Sequence, residues 1–159
     1  MEKSVHELYG NRVRVRTSGI CIIGDSLVMV NHHGLGANEG DLWAPPGGGI
    51  EFGEDAAAGL AREFREETGL LVDTGPFLFA CEFIKAPLHS VELFFHVVYK
   101  GGELAVGKDP ESGQRQIIKD VRMLTSGDIR KLGPGRVHGI LARYPDISQI
   151  TALRGYFKL

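Results

Sequence analysis

Cysteine is scarce in this chain. The two present, Cys21 and Cys81, lie in separate apolar, strand-like runs. They have neither the spacing of a metal site nor the closely spaced set of a disulfide framework, so they read as buried thiols. Long apolar runs are lacking too: none approaches the roughly 20 residues that a membrane-crossing helix needs. The N-terminus has no signal-peptide pattern, which makes a cytoplasmic location the expectation. Nor is there an excess of charge of one sign. Eighteen Lys and Arg stand against 20 Asp and Glu, for a net charge of −2. Neither a nucleic acid nor a membrane surface is therefore indicated as a partner. No internal repeat occurs, and no linker-like stretch follows Asp146. What is present, 159 residues with 43% hydrophobic and 24% charged, suits one folded domain over residues 1–159 with a proper core.

The informative stretch is Gly48 to Leu70, GGIEFGEDAAAGLAREFREETGL. It predicts a helix over 56–68. Asp55 is its N-cap and Gly69 the left-handed residue that ends it. At about 100° per residue, Glu63, Glu66 and Glu67 fall within an arc of about 100°. Ala57, Leu60, Ala61, Phe64 and Thr68 fill the neighbouring arc, which is expected to face a core, with the acids bordering it near the surface. Like charges at these spacings repel. A positive partner is required, and a divalent metal is the natural candidate, because carboxylate oxygens suit Mg²⁺ or Mn²⁺. The bland alternative is a solvated helix whose charges pair with Arg62 and Arg65.

The rest of the chain reads as a mixed fold. Arg12 to Ile23 is a long strand that begins half exposed and becomes buried. Gly24-Asp25-Ser26 turns it into a second strand, Leu27 to Asn31. His32 to Asp41 is loop, with His32 and His33 at the surface. Pro45-Pro46 stiffens the chain before three glycines release it. Phe77 to Ile84 and Val91 to Lys100 are expected to pair around Pro87. Gly101 to Gln116 reads as loop and Ile117 to Leu124 as a strand. Thr125 or Ser126 caps a helix running to Leu132. Arg136 to Tyr144 is the last helix, stopped by Pro145. The fold class is α/β: an α/β/α sandwich with a mixed β-sheet.

Spacing separates the two readings of the acids. Gly48, five residues, Glu54, seven residues, then Arg62-Glu63-Phe64-x-Glu66-Glu67-x-Gly69-Leu70 resembles the Nudix box throughout. With average residue usage such a match arises by chance on the order of once in 10⁹ starting points. Pro46 to Gly49 and Gly53 are similar to the usual approach to that motif. The resemblance covers 23 residues and implies the same sandwich. It also implies hydrolysis of a diphosphate linkage in a nucleoside diphosphate derivative, assisted by Mg²⁺ or alternatively Mn²⁺. Neutralising the phosphate oxygens is then the task of the metal, and activating water that of a carboxylate or the metal itself. By resemblance Glu66 and Glu67 are metal ligands and Glu63 a third ligand or the base. Gly48, Gly49 and Arg62 shape the loop, Arg62 through an ion pair that orients a glutamate, and Glu54 supports the site either as a ligand or by holding the loop to the helix. The turn is not a P-loop, since no Gly-Lys-Ser/Thr follows it.

Relatives often add an acid from a later loop. Glu111, Asp109 and Asp120 are the candidates, Glu111 ahead of the others, with Gln114 and Gln116 as alternatives at that place. Arg12, Arg14 and Arg16 share one face of the first strand. Arg14 and Arg16 suit phosphate contact and equally suit an exposed face that blunts a sheet edge. Trp43 can stack on a base or pack beneath the turn. His89 and His96 form no cluster. Markers of NADH hydrolases are missing, and Pro87 is a displaced counterpart of the proline in ADP-ribose hydrolases. ADP-ribose or a nucleoside diphosphate sugar is the favoured substrate class. A nucleoside triphosphate pyrophosphohydrolase, a nucleotide-sensing module without catalysis and an isomerase on the same scaffold are the alternatives. The partner is a small nucleotide, and the resemblance admits a homodimer.

Overall fold

The computed structural model describes residues 3–107 and 118–159. A one-turn helix, α1 (Val5–Tyr9), opens it behind a reciprocal Ser4–Glu7 capping box. Then come β1 (Arg12–Ile23), β2 (Ser26–His32), β3 (Leu42–Ala44) and β4 (Gly47–Gly49). The box helix is α2 (Ala56–Thr68), followed by β5 (Leu71–Lys85), β6 (Leu88–Gly101) and β7 (Ile118–Thr125). Three short helices, α3 (Ser126–Leu132), α4 (Gly139–Arg143) and α5 (Ile147–Ala152), lead to β8 (Gly155–Lys158).

The strands form one mixed sheet in the order β3-β2-β1-β6-β5-β8, with β4 also beside β1 and β7 beside β2. β1 and β6 are parallel, as are β5 and β8. From Arg16 onward β1 is internal, with β6 on one side and β4 then β2 on the other. The edge-blunting reading therefore does not apply to Arg16, which lies between β6 and β4; Arg12 and Arg14 precede the β4 pairing.

Period-2 alternation assigns the layers. Ile20, Leu27 and Met29 join Ile129, Ile140, Leu141, Ile147 and Ile150, so α3, α4 and α5 cover one face. Their neighbours Cys21 and Val28 join Leu60 and Phe64 of α2 on the other. The result is an α/β/α sandwich. Both thiols are buried and unpaired. Burial pushes Cys21 up to about 11, and burial, then the nearby Glu92 charge, pushes Cys81 up to about 12. Neither has the thiolate character that reactivity needs.

The C-terminal part departs from the sequence expectation. Arg136 to His138 is not helical. Trp43 donates its N–H to Arg136 O, and His138 donates its N–H to Trp43 O, so this segment is laddered to β3. The helix starts only at Gly139, and it is not the last, because α5 and β8 follow Pro145. Among the described residues no helix is long and apolar enough to cross a membrane.

Candidate active site

Local sequence sets both ends of α2. Asp55 accepts from Ala58 N–H at 2.8 Å, and Gly69 takes a left-handed φ of 76°. Tertiary packing sets the rest. Glu63 and Glu67 are only 3% and 2% exposed, not near the surface, whereas Ala57, expected in the core, is exposed. The cause is β4. Gly47–Gly49 pairs with Arg16–Ser18 of β1 and brings a bare backbone over the acidic side of the helix. A Cβ on Gly48 would stand 2.3 Å from Glu63 Oε1, so only glycine lets strand and carboxylate meet. Gly47 N–H donates to Glu67 Oε1 at 2.9 Å.

The positive group among the acids is Arg62. Its Nη1 donates to Glu63 Oε1 and to Glu66 Oε2, both at 3.1 Å. Nε donates to Glu54 Oε2 at 3.0 Å and Nη2 to Glu54 Oε1 at 2.9 Å, a two-pronged contact. Nη2 also reaches Gly49 O at 3.4 Å. The Arg62 hydrogen bonds, then the Glu51 N–H, hold the Glu54 carboxyl down at about 2. Arg62 is in turn raised above its ordinary value, chiefly by Glu54.

The acids thus converge on a cation that the chain itself supplies. Among the described residues no three His, Cys, Asp or Glu side chains stand together as a ready metal cage. Mg²⁺, however, is usually held by one or two carboxylates together with substrate phosphates. The donor set suits it in kind: Glu63 Oε1 and Glu66 Oε2 already converge on one positive charge, Arg62 Nη1, whose place a metal ion would take, while Glu67 is buried against Gly47 N–H and His32. In the chemistry of its oxygens, the site fits a hard divalent cation.

The NUDIX domain model matches residues 13–141. The chain belongs to the NUDIX family. It is by class a Nudix hydrolase. Among solved structures it is similar to the MutT NUDIX hydrolase of Burkholderia pseudomallei, at 20% identity and TM-score 0.68 over 88% of this chain and 99% of that one. It is also similar to an ADP-ribose pyrophosphatase of Streptococcus suis, at 15% identity and TM-score 0.62 over 91% and 98%. A third is a UDP-X diphosphatase, at 17% identity and TM-score 0.65 over 93% and 68%. Identities this low show a shared fold. Among curated proteins, none matches the sequence significantly.

The other predicted residues of this Nudix chain that the structure describes lie apart from the acids. Glu111, Asp109, Gln114 and Gln116 fall outside the described residues. Asp120 sits opposite Asn31 in the β2–β7 ladder and pairs with Arg122 at 2.6 Å. Arg14 and Arg16 occupy the sheet face turned away from α2. Arg14 lies over the Tyr9 ring at 4.0 Å, and Arg16 Nε donates to Glu92 Oε2 at 3.4 Å. Trp43 is buried in the core beneath the turn. His89 pairs with Glu82 at 3.1 Å.

Two features escaped the sequence reading. His32 is buried rather than superficial, with Nε2 3.4 Å from Glu67 Oε2, and its Nδ1 has no hydrogen-bond partner among the described residues. Extending the alternation of Val28 and Val30 by one more step would have placed it on the α2 face. The second feature is a polar knot on the opposite face. His138 Nε2 stands 2.6 Å from Glu92 Oε1, and Ser18 Oγ donates to Glu92 Oε2 at 2.7 Å. His138 Nδ1 accepts from Ile140 N–H as the α4 cap. With Nδ1 accepting, Nε2 carries the hydrogen and donates to Glu92. Burial alone pushes Glu92 up; His138 first, then Arg16 and Ser18, outweigh it and hold the carboxyl well below its usual range. Glu92 and His138 are 46 positions apart, and no local pattern links them.

Proposed function

We propose that residues 1–159 act as one unit hydrolysing the diphosphate linkage of a nucleoside diphosphate derivative, with ADP-ribose or a nucleoside diphosphate sugar as the substrate class. One observation carries the reading: the acids of α2 gather where the helix meets the Gly47–Gly49 backbone, Glu63 Oε1 and Glu66 Oε2 converging on the Arg62 Nη1 cation and Glu67 Oε1 accepting from Gly47 N–H. The relatives named as an ADP-ribose pyrophosphatase and a UDP-X diphosphatase support this substrate class.

Mg²⁺, or Mn²⁺ in its place, held by Glu63, Glu66 and Glu67, would supply the positive charge that phosphate oxygens need in the transition state. The other tasks belong to the chain. Gly47 N–H and His32 fix the orientation of Glu67. Glu54 anchors Arg62, and Arg62 sets the side chains of Glu63 and Glu66. A carboxylate of this group takes a proton from the attacking water. The water oxygen bonds to one phosphorus, the bridging oxygen leaves with the other, and two phosphomonoesters result.

A panel of nucleoside diphosphate derivatives and nucleoside triphosphates, incubated with Mg²⁺ and read by product analysis, tests the reading. Glu66→Gln removes one charge at a partly exposed position and should lower kcat by roughly 100-fold or more while the circular dichroism spectrum is unchanged. Undiminished turnover in that variant would remove the acids from the chemistry.

A further inference from the structure

A cavity of about 540 Å³ opens on the sheet face opposite the glutamates, between β3, β7 and α3. Its volume is that of a small-molecule site, commonly about 300–1,000 Å³. Asn31 and Trp43 line it from the sheet, and four cations surround it: Lys119, Arg122, Lys131 and Arg136. Against them stand the carboxylates of Asp120 and Asp128. The lining therefore carries a surplus of two positive charges, on a chain whose net charge is −2.

The cations are not equally engaged. Arg122 pairs with Asp120 at 2.6 Å, and Lys119 with Asp41, outside the lining, at 3.3 Å. Lys131 feels the charge of Asp128. Arg136 has no ion pair among the described residues, and its side chain belongs to an exposed residue beside the buried Val137. The backbone at Arg136 is held by the ladder to Trp43, so the guanidinium projects from an anchored stem.

The geometry points to a second binding site here, for a small organic phosphomonoester. Arg136 and Lys131 take the phosphate, a guanidinium being able to donate two parallel hydrogen bonds to it. The organic part fills the volume toward Trp43, which a bare phosphate is too small to do. The glutamates belong to α2 on the other face of the sheet, and Asn31 and His32, adjacent in β2, face the two sites from opposite sides. The phosphomonoester site is therefore separate from the diphosphate-cleaving one. Its ligand chemistry comes from two sources, a nucleotide or a sugar phosphate.

Calorimetric titration of the full chain in EDTA separates them. The probes are AMP, ribose 5-phosphate, inorganic phosphate and adenosine. AMP or ribose 5-phosphate should bind, the tighter of the two naming the source, and adenosine should not. Arg136→Gln combined with Lys131→Gln alters two exposed positions, and unfolding midpoints will establish that the fold is intact. That variant should lose at least about tenfold in affinity, equivalent to about 1.4 kcal/mol, whereas Glu66→Gln should bind as the parent does. The proposal is overturned if neither ester binds, if inorganic phosphate binds as tightly as both, if the double variant binds unchanged, or if Glu66→Gln abolishes binding.

Discussion

Removing the Arg62 guanidinium would leave Glu54, Glu63 and Glu66 side by side with no cation between them. Taking one partner from a buried ion pair costs about 3–5 kcal/mol. Arg62 is 20% exposed and Glu66 27%, so water screens part of this, and Arg62→Met should lose about 1–3 kcal/mol in urea unfolding in EDTA. Mg²⁺ should then restore more stability to the variant than it adds to the parent, because binding to the folded state alone stabilises it. Equal effects of Mg²⁺ on both proteins would mean that the acids do not share an ion. Gly48→Ala tests the same surface from the backbone side. Its Cβ would stand 2.3 Å from Glu63 Oε1, so the Glu63 carboxylate must shift from its place beside Arg62. Overpacking of this kind costs about 1–3 kcal/mol. Hydrolysis should fall together with stability, which paired denaturation and turnover measurements would show.

At the scale of the element, α2 offers two local devices of different strength. Asp55→Ala removes one cap hydrogen bond and should cost about 1 kcal/mol. Gly69→Ala forces a side chain into φ 76° and sets its Cβ 2.6 Å from Glu103 O, so thermal denaturation should show the larger loss there. The two ends lie roughly 20 Å apart at 1.5 Å per residue, so the double variant should lose the sum of both. These devices are also why the helix was legible: an acid before it and a glycine after it act within a turn. The burial of Glu63 and Glu67 was not, because the backbone that covers them pairs with β1 far back in the chain. Similarly, the strand expected to begin at Phe77 begins at Leu71, since the register shift between Thr74 and Phe77 absorbs the intervening residues against β6. Arg136 to His138 reads as the start of a helix until Trp43 claims its backbone. In each case the local signal was sound and a distant partner prevailed.

At the scale of the molecule, the Glu92–His138 contact ties β6 to the cap of α4 and so joins the sheet to the helices of one face. Glu92 stays ionised below the ordinary carboxylate value of 4.5. Between that value and its depressed one, the unfolded chain binds a proton that the folded chain refuses. The contribution of Glu92 is therefore complete above about pH 4.5 and drains away as the pH falls toward its folded value. Glu92→Gln keeps an acceptor for His138 but has nothing to titrate. Its unfolding midpoint should lie well below that of the parent at pH 7, and the gap should narrow steadily from pH 4.5 to pH 3. The comparison must be of the gap itself, because Glu54, also depressed, steepens the acid limb in both proteins alike. A gap that stays constant from pH 7 to pH 3 would show that His138 and Arg16 do not hold Glu92 ionised. The bridge between sheet and helices would then be a neutral hydrogen bond, and the acid sensitivity of the fold would reside in the Arg62 cluster instead.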